Sequence, residues 1–371
     1  MSERAPNHPV DEHVEAARNA GLQYVTDAMP GIRRRRVGGG FAYVDTSGRK
    51  VTDREVIGRI RSLVIPPAWR DVWICDDPRG HLQVTARDAR GRKQYRYHPD
   101  YREVRDEAKF ERMLAFSTVL PRIRERVARD IALEGHSRTK VMATVVWLLE
   151  RTLIRIGSDE YAKSNKSYGL TTLRRRHVEV DGSELRFEFR GKSGIEHSVA
   201  VTDKRIARIV QRCQELPGQE LFQFLDDDGK RQTVDAGDVN QYLQSITGDD
   251  TTAKDFRTWA GTMIAARELR ELGEASGKKA KAHVIKAIDA AAEQLGNTRT
   301  VCRKYYVHPA LLEAYMQRDV LPRLPPHEFK RRRRGRAALR REEAEVLAFL
   351  KRRLAQHRPA RARRPRNPSG S

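Results

Sequence analysis

The 371-residue sequence is poor in cysteine and in long apolar runs. Its three cysteines, Cys75, Cys213 and Cys302, form no Cys-x-x-Cys pair, which disfavours a disulfide framework or a zinc site and suits a reducing cytosol. The longest near-apolar run, residues 141–149, is far shorter than the ~20 residues that a transmembrane helix needs. Residues 1–21 contain no apolar core typical of a signal peptide. We therefore expect a cytoplasmic protein.

An excess of basic residues is the dominant feature of the composition. The chain has 73 Lys and Arg against 50 Asp and Glu, a formal net charge of +23. Such a charge repels itself unless a polyanion is close by, and nucleic acid is the expected partner. An anionic membrane surface is the second candidate.

More than half of this excess lies near the end of the chain. Residues 330–366 hold 16 basic and 3 acidic residues, a net +13. The middle of the tail 326–371 predicts an amphipathic helix with Leu339, Val346, Leu350 and Leu354 on its apolar side. Its two ends are predicted to be disordered. We interpret the tail as a dispensable, nonspecific nucleic-acid tether; a solubility tail without a further role is the alternative.

The periodicity of the sequence predicts an α+β protein with two domains. Residues 1–22 indicate a polar, mostly irregular leader, and residues 23–100 alternate between strands and turns, as in a small basic strand-rich domain. Residues 101–325 show helical spacing around one small antiparallel sheet. We expect the two lobes to be joined near residues 99–106 and to form a bilobed clamp.

A three-stranded meander is predicted inside the helical domain. A turn at Asp181-Gly182 leads into SELRFEF, and the turn RGKSG leads into IEHSVAV. Lys192 lies on this second turn, framed by Gly191 and Gly194. The ordinary interpretation is an exposed lysine at a hairpin tip.

Two arginines lie beside apolar helical stripes. Arg155 continues the line of Leu148 and Thr152 on a helix for which Ser137 is a plausible N-cap. Arg257 lies at the margin of the apolar face of TAKDFRTWAGT. Because a guanidinium cannot shed its charge by deprotonation, each needs an anionic partner. Spacing favours an internal salt bridge, although two such arginines also suit one phosphate.

The segment EQLGNTRTVCRKYYVHP contains two adjacent tyrosines among cations. Gly296 ends one helix, Asn297 or Thr298 is suited to cap the next, and Pro309 disfavours helical geometry at the residue before it. A tyrosine among cations has its phenolate favoured, which suits a nucleophile that attacks a phosphodiester. A structural tyrosine next to a surface tyrosine is the more common alternative.

Together these segments resemble the type IB DNA topoisomerases of the compact poxvirus and bacterial kind. The resemblance covers about residues 25–320. It rests on six separated stretches in one order: GRKQYRYH, RTLIRIGSDEYAKSNKSYGLTTL, FEFRGKSGIEHSV, LFQFLDDDGKRQTVDAGDVNQYL, KDFRTW and GNTRTVCRKYYVHP.

The resemblance implies a catalytic set of Arg155, Lys192, Arg257, Asn297 and Tyr306. In this family the matching tyrosine forms a 3′-phosphotyrosyl link, the arginines stabilise the transition state, and the hairpin lysine is the general acid. Asn297 stands where the poxvirus enzymes have histidine. The implied reaction relaxes supercoiled DNA without ATP, cofactor or obligatory metal. Consistent with this, the sequence contains no Gly-x4-Gly-Lys-[Ser/Thr] loop.

The resemblance also implies how DNA is held. Gln94, Tyr95 and Tyr97 match positions that touch DNA in the major groove, and Tyr161 is a plausible further phosphate contact. A monomer that acts on double-stranded DNA in the nucleoid is expected.

Two alternatives are weighed against this hypothesis. A tyrosine recombinase uses related chemistry, but recombinases usually place histidine three residues before the second arginine, where this chain has Lys254. A noncatalytic basic DNA-packaging protein would need no nucleophile. The acidic run 225–229 is interpreted as a hairpin turn rather than as a metal site.

Overall fold

A computed structural model describes the chain at residues 9–89, 91, 93–226, 228–248, 251–321 and 339–357. The polypeptide divides into two compact units between Glu111 and Arg112. Each unit combines antiparallel strands with helices, which confirms the predicted α+β class. The division lies inside a long helix rather than in the connection expected near residues 99–106.

The first unit is built on a five-stranded sheet. Its elements are α1 (Pro9–Asn19), β1 (Ile32–Val37), β2 (Gly40–Val44), α2 (Arg54–Ser62), β3 (Arg70–Ile74), β4 (Leu82–Arg87), β5 (Lys93–Tyr97) and the first turns of α3 (Pro99–Ile131). The strand order is β2-β1-β3-β4-β5, with antiparallel neighbours throughout. Ile60 of α2 packs with Ile74 and Val84 of the sheet in the core of this unit. Strand β5, which holds three of the predicted DNA contacts, is therefore an edge strand.

Two helices of this unit differ from the expectation. Residues 9–19 form α1 instead of an irregular leader, because Ala17 is fully buried in a cluster with Leu22 and Tyr101. Helix α2 was not predicted among the strands. Its N-cap is Asp53, whose carboxylate accepts hydrogen bonds from the amides of the second and third residues that follow it.

The second unit is mainly helical. Its elements after α3 are α4 (Arg138–Thr152), α5 (Asp159–Asn165), β6 (Val178–Asp181), β7 (Glu184–Arg190), β8 (Glu196–Thr202), α6 (Lys204–Glu215), β9 (Gln223–Leu225), β10 (Arg231–Thr233), α7 (Ala236–Thr247), α8 (Ala253–Leu272), α9 (Gly277–Leu295), α10 (Arg299–Tyr305), α11 (Pro309–Met316) and α12 (Arg341–His357). Strands β6, β7 and β8 form the predicted meander, and Ser137 caps α4 as expected. In the acidic run, Leu225 ends β9, and hydrogen bonds of 2.9 Å from the Gly229 amide to the Asp226 carbonyl and from the Asp226 amide to the Lys230 carbonyl form a hairpin turn that leads to the antiparallel β10.

The predicted tail helix is present as α12, and it is a packed element of the second unit. Val346 and Leu350 are fully buried, and Leu339 and Leu354 are half-buried. The Arg124 guanidinium of α3 donates two hydrogen bonds of 2.7 and 2.8 Å to the Glu343 carboxylate. The middle of the tail is therefore part of the folded unit. The two ends that were predicted to be disordered lie outside the described residues.

In the described part of the chain, no helix combines the length and apolar character needed to cross a membrane.

Candidate active site

Arg155 lies just beyond the end of α4 and not on it. The helix ends at Thr152 because Leu153 adopts a left-handed conformation with φ 56°. The chain therefore leaves the helical line that the sequence suggested. The Arg155 Nη2 donates a 3.1 Å hydrogen bond to the carbonyl of Gly296 and another to the Asn297 Oδ1. Arg155 is thus held next to the turn between α9 and α10.

Arg257 projects from α8 into the same region and is only 4% exposed. Its Nη2 donates a 2.7 Å hydrogen bond to the carbonyl of Leu295, and its Nη1 donates to the carbonyl of Leu153. Its Nε is buried and has no hydrogen-bond partner among the described residues. The guanidinium therefore connects the end of α4 to the end of α9 and leaves its Nε without a partner among the described residues.

The two arginines form a positive site without a carboxylate. Neither guanidinium makes an ion pair with any carboxylate of the described residues, so the internal salt bridge that spacing favoured is not formed there. Burial lowers the pKa of Arg155, and the nearby charge of Arg257 lowers it further. Burial also lowers the pKa of Arg257, against a smaller opposing effect of Tyr306. Both shifts reflect positive charge that lacks compensation, which is the electrostatic condition for binding an anion.

Tyr306 lies at the end of α10 with its ring facing this site. The Arg257 guanidinium carbon lies 5.5 Å from the centre of the Tyr306 ring. The Thr262 hydroxyl of α8 donates a 3.1 Å hydrogen bond to the Tyr306 carbonyl. Tyr305, in contrast, is exposed, and the Lys304 ammonium lies over its ring. The structure therefore brings Tyr306, and not Tyr305, to the arginine pair.

Asn297 completes the cluster from the turn after α9. Gly296 ends that helix in the left-handed region with φ 57°, and Thr298 is the residue that caps α10. The Asn297 side chain is left free to turn toward Arg155, from which its Oδ1 accepts a hydrogen bond. Its Nδ2 is buried without a hydrogen-bond partner among the described residues, although the Cys302 sulfur, a weak acceptor, lies near it.

Lys192 lies at the tip between β7 and β8. The Gly191 amide donates a 2.7 Å hydrogen bond to the carbonyl of Ile195 and closes the tip, while Ser193 and Gly194 both have positive φ. The lysine is exposed, and no described residue forms an ion pair or a hydrogen bond with its ammonium. Its side chain is therefore available to reach a ligand.

Comparisons with known proteins identify what this arrangement is related to. Residues 98–320 match the family model described as the catalytic core of eukaryotic DNA topoisomerase I, and residues 40–88 match the N-terminal domain of bacterial DNA topoisomerase IB. The chain is 31% identical over 295 residues to DNA topoisomerase 1B of Acanthamoeba polyphaga mimivirus, a match that covers 77% of this chain and 88% of the viral one. It is 23% identical over 235 residues to DNA topoisomerase 1B of vaccinia virus strain Copenhagen, covering 63% and 72% of the two chains.

The chain belongs to the type IB DNA topoisomerase family. It is accordingly an isomerase that breaks and rejoins DNA strands. The site described above lies entirely within the residues that match the catalytic core.

Three residues that support the topoisomerase site were missed in the sequence. A Cβ atom added at Gly261 would lie 2.8 Å from the Cβ and the carbonyl oxygen of Tyr306, so α8 and the end of α10 touch there. The Thr262 hydroxyl donates a hydrogen bond to the same Tyr306 carbonyl. His197 of β8 lies between the hairpin tip and Gly296. Apart from the contact of His197 with the hairpin tip, these contacts join residues 44 or more positions apart in the sequence, and nothing in the local patterns signals them.

The predicted DNA contacts on β5 point to two faces of the sheet. Tyr95 is 48% exposed, and its ring stacks on that of Tyr97 with 6.1 Å between centres. Gln94 lies on the opposite face, because side chains alternate along a strand, and its amide donates a 2.9 Å hydrogen bond to the Asp88 carboxylate. In the second unit, Tyr161 of α5 is 53% exposed.

Proposed function

We propose that Tyr306 is the nucleophile of this topoisomerase and that the Arg155–Arg257–Asn297 cluster binds the phosphate it attacks. The observation that carries this assignment is the buried Arg257 against the Tyr306 ring, with the half-buried Arg155 beside it and no carboxylate partner for either arginine among the described residues. In the forward step the Tyr306 oxygen forms a bond to phosphorus and the bond from phosphorus to the 5′ oxygen breaks. The tyrosine gives its proton to solvent water, and the product is a 3′-phosphotyrosyl enzyme.

The cluster supplies donors where negative charge develops. In the pentavalent transition state, charge accumulates on the two nonbridging oxygens, which suits the two guanidinium groups. The buried Arg257 Nε has no hydrogen-bond partner among the described residues, and the buried Asn297 Nδ2 has only the weak acceptor Cys302 near it, so a phosphate oxygen would be a stronger acceptor for both. Removal of one such donor costs roughly 10²- to 10³-fold in rate in other enzymes.

Lys192 is assigned as the general acid for the 5′-oxygen leaving group. An alkoxide is a poor leaving group, and proton transfer from a positioned side chain contributes about 10²- to 10⁴-fold. The ammonium is exposed on a hairpin tip and is held by no described residue, so it can reach the DNA. Resealing runs the same steps backward, with the 5′ hydroxyl returning its proton to Lys192.

The same proposal covers the substrate and the setting. The substrate is double-stranded DNA, in keeping with the +23 net charge. Tyr95 and Tyr161 are assigned as DNA contacts because their rings are exposed. Tyr97 is assigned beside Tyr95, although its ring is partly buried against Tyr101, and Gln94 acts there only if DNA displaces Asp88. We place the protein in the nucleoid as a monomer. Because the phosphotyrosyl bond conserves the energy of the broken phosphodiester, the reaction needs no ATP.

Relaxation of supercoiled plasmid without ATP and with EDTA tests the assignment. Positively and negatively supercoiled substrates are compared for the unmodified enzyme, Tyr306→Phe and the matched control Tyr305→Phe. The enzyme and the control are expected to relax both substrates and to form a covalent 3′ adduct, whereas Tyr306→Phe does neither. Adduct formation by Tyr306→Phe but not by Tyr305→Phe would move the nucleophile to Tyr305. Exchange of defined sites by a tetramer, without relaxation, would indicate recombinase activity.

A further inference from the structure

Few hydrogen bonds connect the tip of the β7–β8 hairpin to the rest of the described residues. The amide of Tyr168 donates a 2.9 Å hydrogen bond to the carbonyl of Arg190 and so anchors the base of the tip. Beyond that residue, the described hydrogen bonds are internal to the tip, from the amides of Gly191 and Gly194. They shape the loop around Lys192, but they do not fix it relative to the arginine cluster.

The ring of His197 fills the space between this tip and the turn after α9. A Cβ added at Gly191 would lie 2.5 Å from the ring Cδ2, and a Cβ added at Gly296 would lie 2.8 Å from the ring Cε1. On one face the ring stacks on Phe189, with 5.1 Å between centres and 14° between planes. Only glycine at both neighbouring positions leaves room for the ring.

Burial and the charges of the arginine cluster favour the neutral form of the His197 ring. Burial lowers the pKa of His197, and the charges of Arg155 and Arg257 lower it further, while Glu196 has a smaller opposing effect. The imidazole is therefore neutral near pH 7. A neutral ring can lie beside two guanidinium groups without adding a third positive charge.

Building on the proposed function, we propose that His197 is a positioning residue that fixes the Lys192 hairpin against the Gly296–Asn297 turn. It acts through Lys192 by setting where the ammonium lies relative to the phosphate held by the arginines. Its loss should affect protonation of the leaving group more than phosphate binding. A displacement of about 1 Å can cost on the order of 10²-fold in rate.

A change of leaving group tests this role directly. In a DNA substrate whose scissile 5′ oxygen is replaced by sulfur, the leaving group is a thiolate, whose conjugate acid has a pKa of about 8.5 and which needs no proton to leave. We expect His197→Ala to slow single-turnover cleavage of ordinary DNA by about 10- to 100-fold and to cleave the sulfur substrate nearly as fast as the unmodified enzyme. Lys192→Ala should show the same pattern.

A second variant separates positioning from general destabilisation. Gly191→Ala places a methyl group against the ring, and the φ of −96° at this residue is accessible to alanine. It should slow cleavage alone but add nothing to His197→Ala, which leaves space for the methyl group. Gly39→Ala is the control, because a Cβ there meets no atom within 4 Å.

The outcomes distinguish this inference from the proposed function. If the unmodified enzyme cleaves neither substrate, the proposed function fails. If Lys192→Ala is not rescued by sulfur, the general-acid assignment fails. If Lys192→Ala is rescued but His197→Ala cleaves both substrates equally slowly, the positioning role of His197 is overturned. The same holds if Gly191→Ala adds its full effect to that of His197→Ala.

Discussion

The Thr262 hydroxyl of α8 donates a 3.1 Å hydrogen bond to the backbone carbonyl of Tyr306. The oxygen of this Thr262 hydroxyl also accepts a 3.1 Å hydrogen bond from the buried amide of His308. Thr262→Val keeps the shape but removes both bonds, so we expect it to lower the free energy of unfolding by about 1–3 kcal/mol and to slow cleavage. Thr262→Ser retains the hydroxyl and should stay closer to the unmodified enzyme. Denaturant unfolding and single-turnover cleavage measure the two effects, and equal behaviour of Val and Ser would contradict the role of the hydroxyl.

Gly261 lets the nucleophile segment pack directly on α8. Gly261→Ala would place a methyl group 2.8 Å from the Cβ and the carbonyl of Tyr306, and backbone cannot yield as a flexible side chain does. We expect cleavage to fall by about 10²-fold because the phenol is displaced. The matched control is Gly58→Ala in α2, where a Cβ meets nothing within 4 Å and alanine is favoured in a helix by about 1 kcal/mol. Unchanged cleavage by Gly261→Ala would show that the segment can shift without loss.

Asn297 accepts a hydrogen bond from Arg155, one of the residues proposed to bind phosphate. In Asn297→Asp the new carboxylate forms an ion pair with Arg155, to which Asn297 is already hydrogen-bonded, and its charge repels the phosphate. We expect a cleavage rate at least about 10²-fold below that of the unmodified enzyme. Asn297→Ala removes the amide without adding charge and should lose less. Single-turnover cleavage at saturating DNA measures this order, and an aspartate variant as active as the alanine variant would refute it.

The elements that could be predicted from the sequence are those with strong local patterns. In β7 the apolar residues Leu185, Phe187 and Phe189 alternate with charged ones, and all three are buried as the pattern predicted. Ser137 could be recognised as a cap because its side chain interacts with its own helix. Helix α1 could not be predicted from a local pattern, because its burial depends on the distant Tyr101.

The candidate site could be predicted only as far as its residues carry a motif. Arg155 was placed on α4 because nothing local indicates that Leu153 adopts a left-handed conformation, which is unusual for leucine. The contacts of Gly261 and His197 join segments that are far apart in sequence. They follow from the packing of α8, α10 and the hairpin rather than from any periodicity.

The ion pair between Arg124 and Glu343 makes the attachment of α12 dependent on pH. Burial raises the pKa of the Glu343 carboxyl, but the Arg124 hydrogen bonds and charge outweigh it, so the pKa lies below its ordinary value of 4.5. A lowered pKa contributes stability above pH 4.5 that is lost as the pH falls through the folded-state value. Glu343→Gln lacks this contribution, so we expect it to be less stable near neutrality and the gap to narrow in acid. Urea unfolding across this range tests the sign, and a gap that widens in acid would refute it.

Truncations at two positions separate the folded part of the tail from its charged end. Residues 358–371 contain five arginines and no acidic residue. Their removal should lower the slope of DNA affinity against salt by up to roughly 0.9 per arginine and leave cleavage at saturating DNA unchanged.

Removal of residues 339–371 also deletes Val346 and Leu350 from the core, at about 1.5–3 kcal/mol each, so this variant should unfold at lower denaturant. The sequence alone suggested that the whole tail is a dispensable tether, but the burial of α12 restricts that role to the charged ends. If the short truncation leaves the salt dependence unchanged, the tether hypothesis fails for this end, and if the long truncation is equally stable, α12 is not an integral part of the fold.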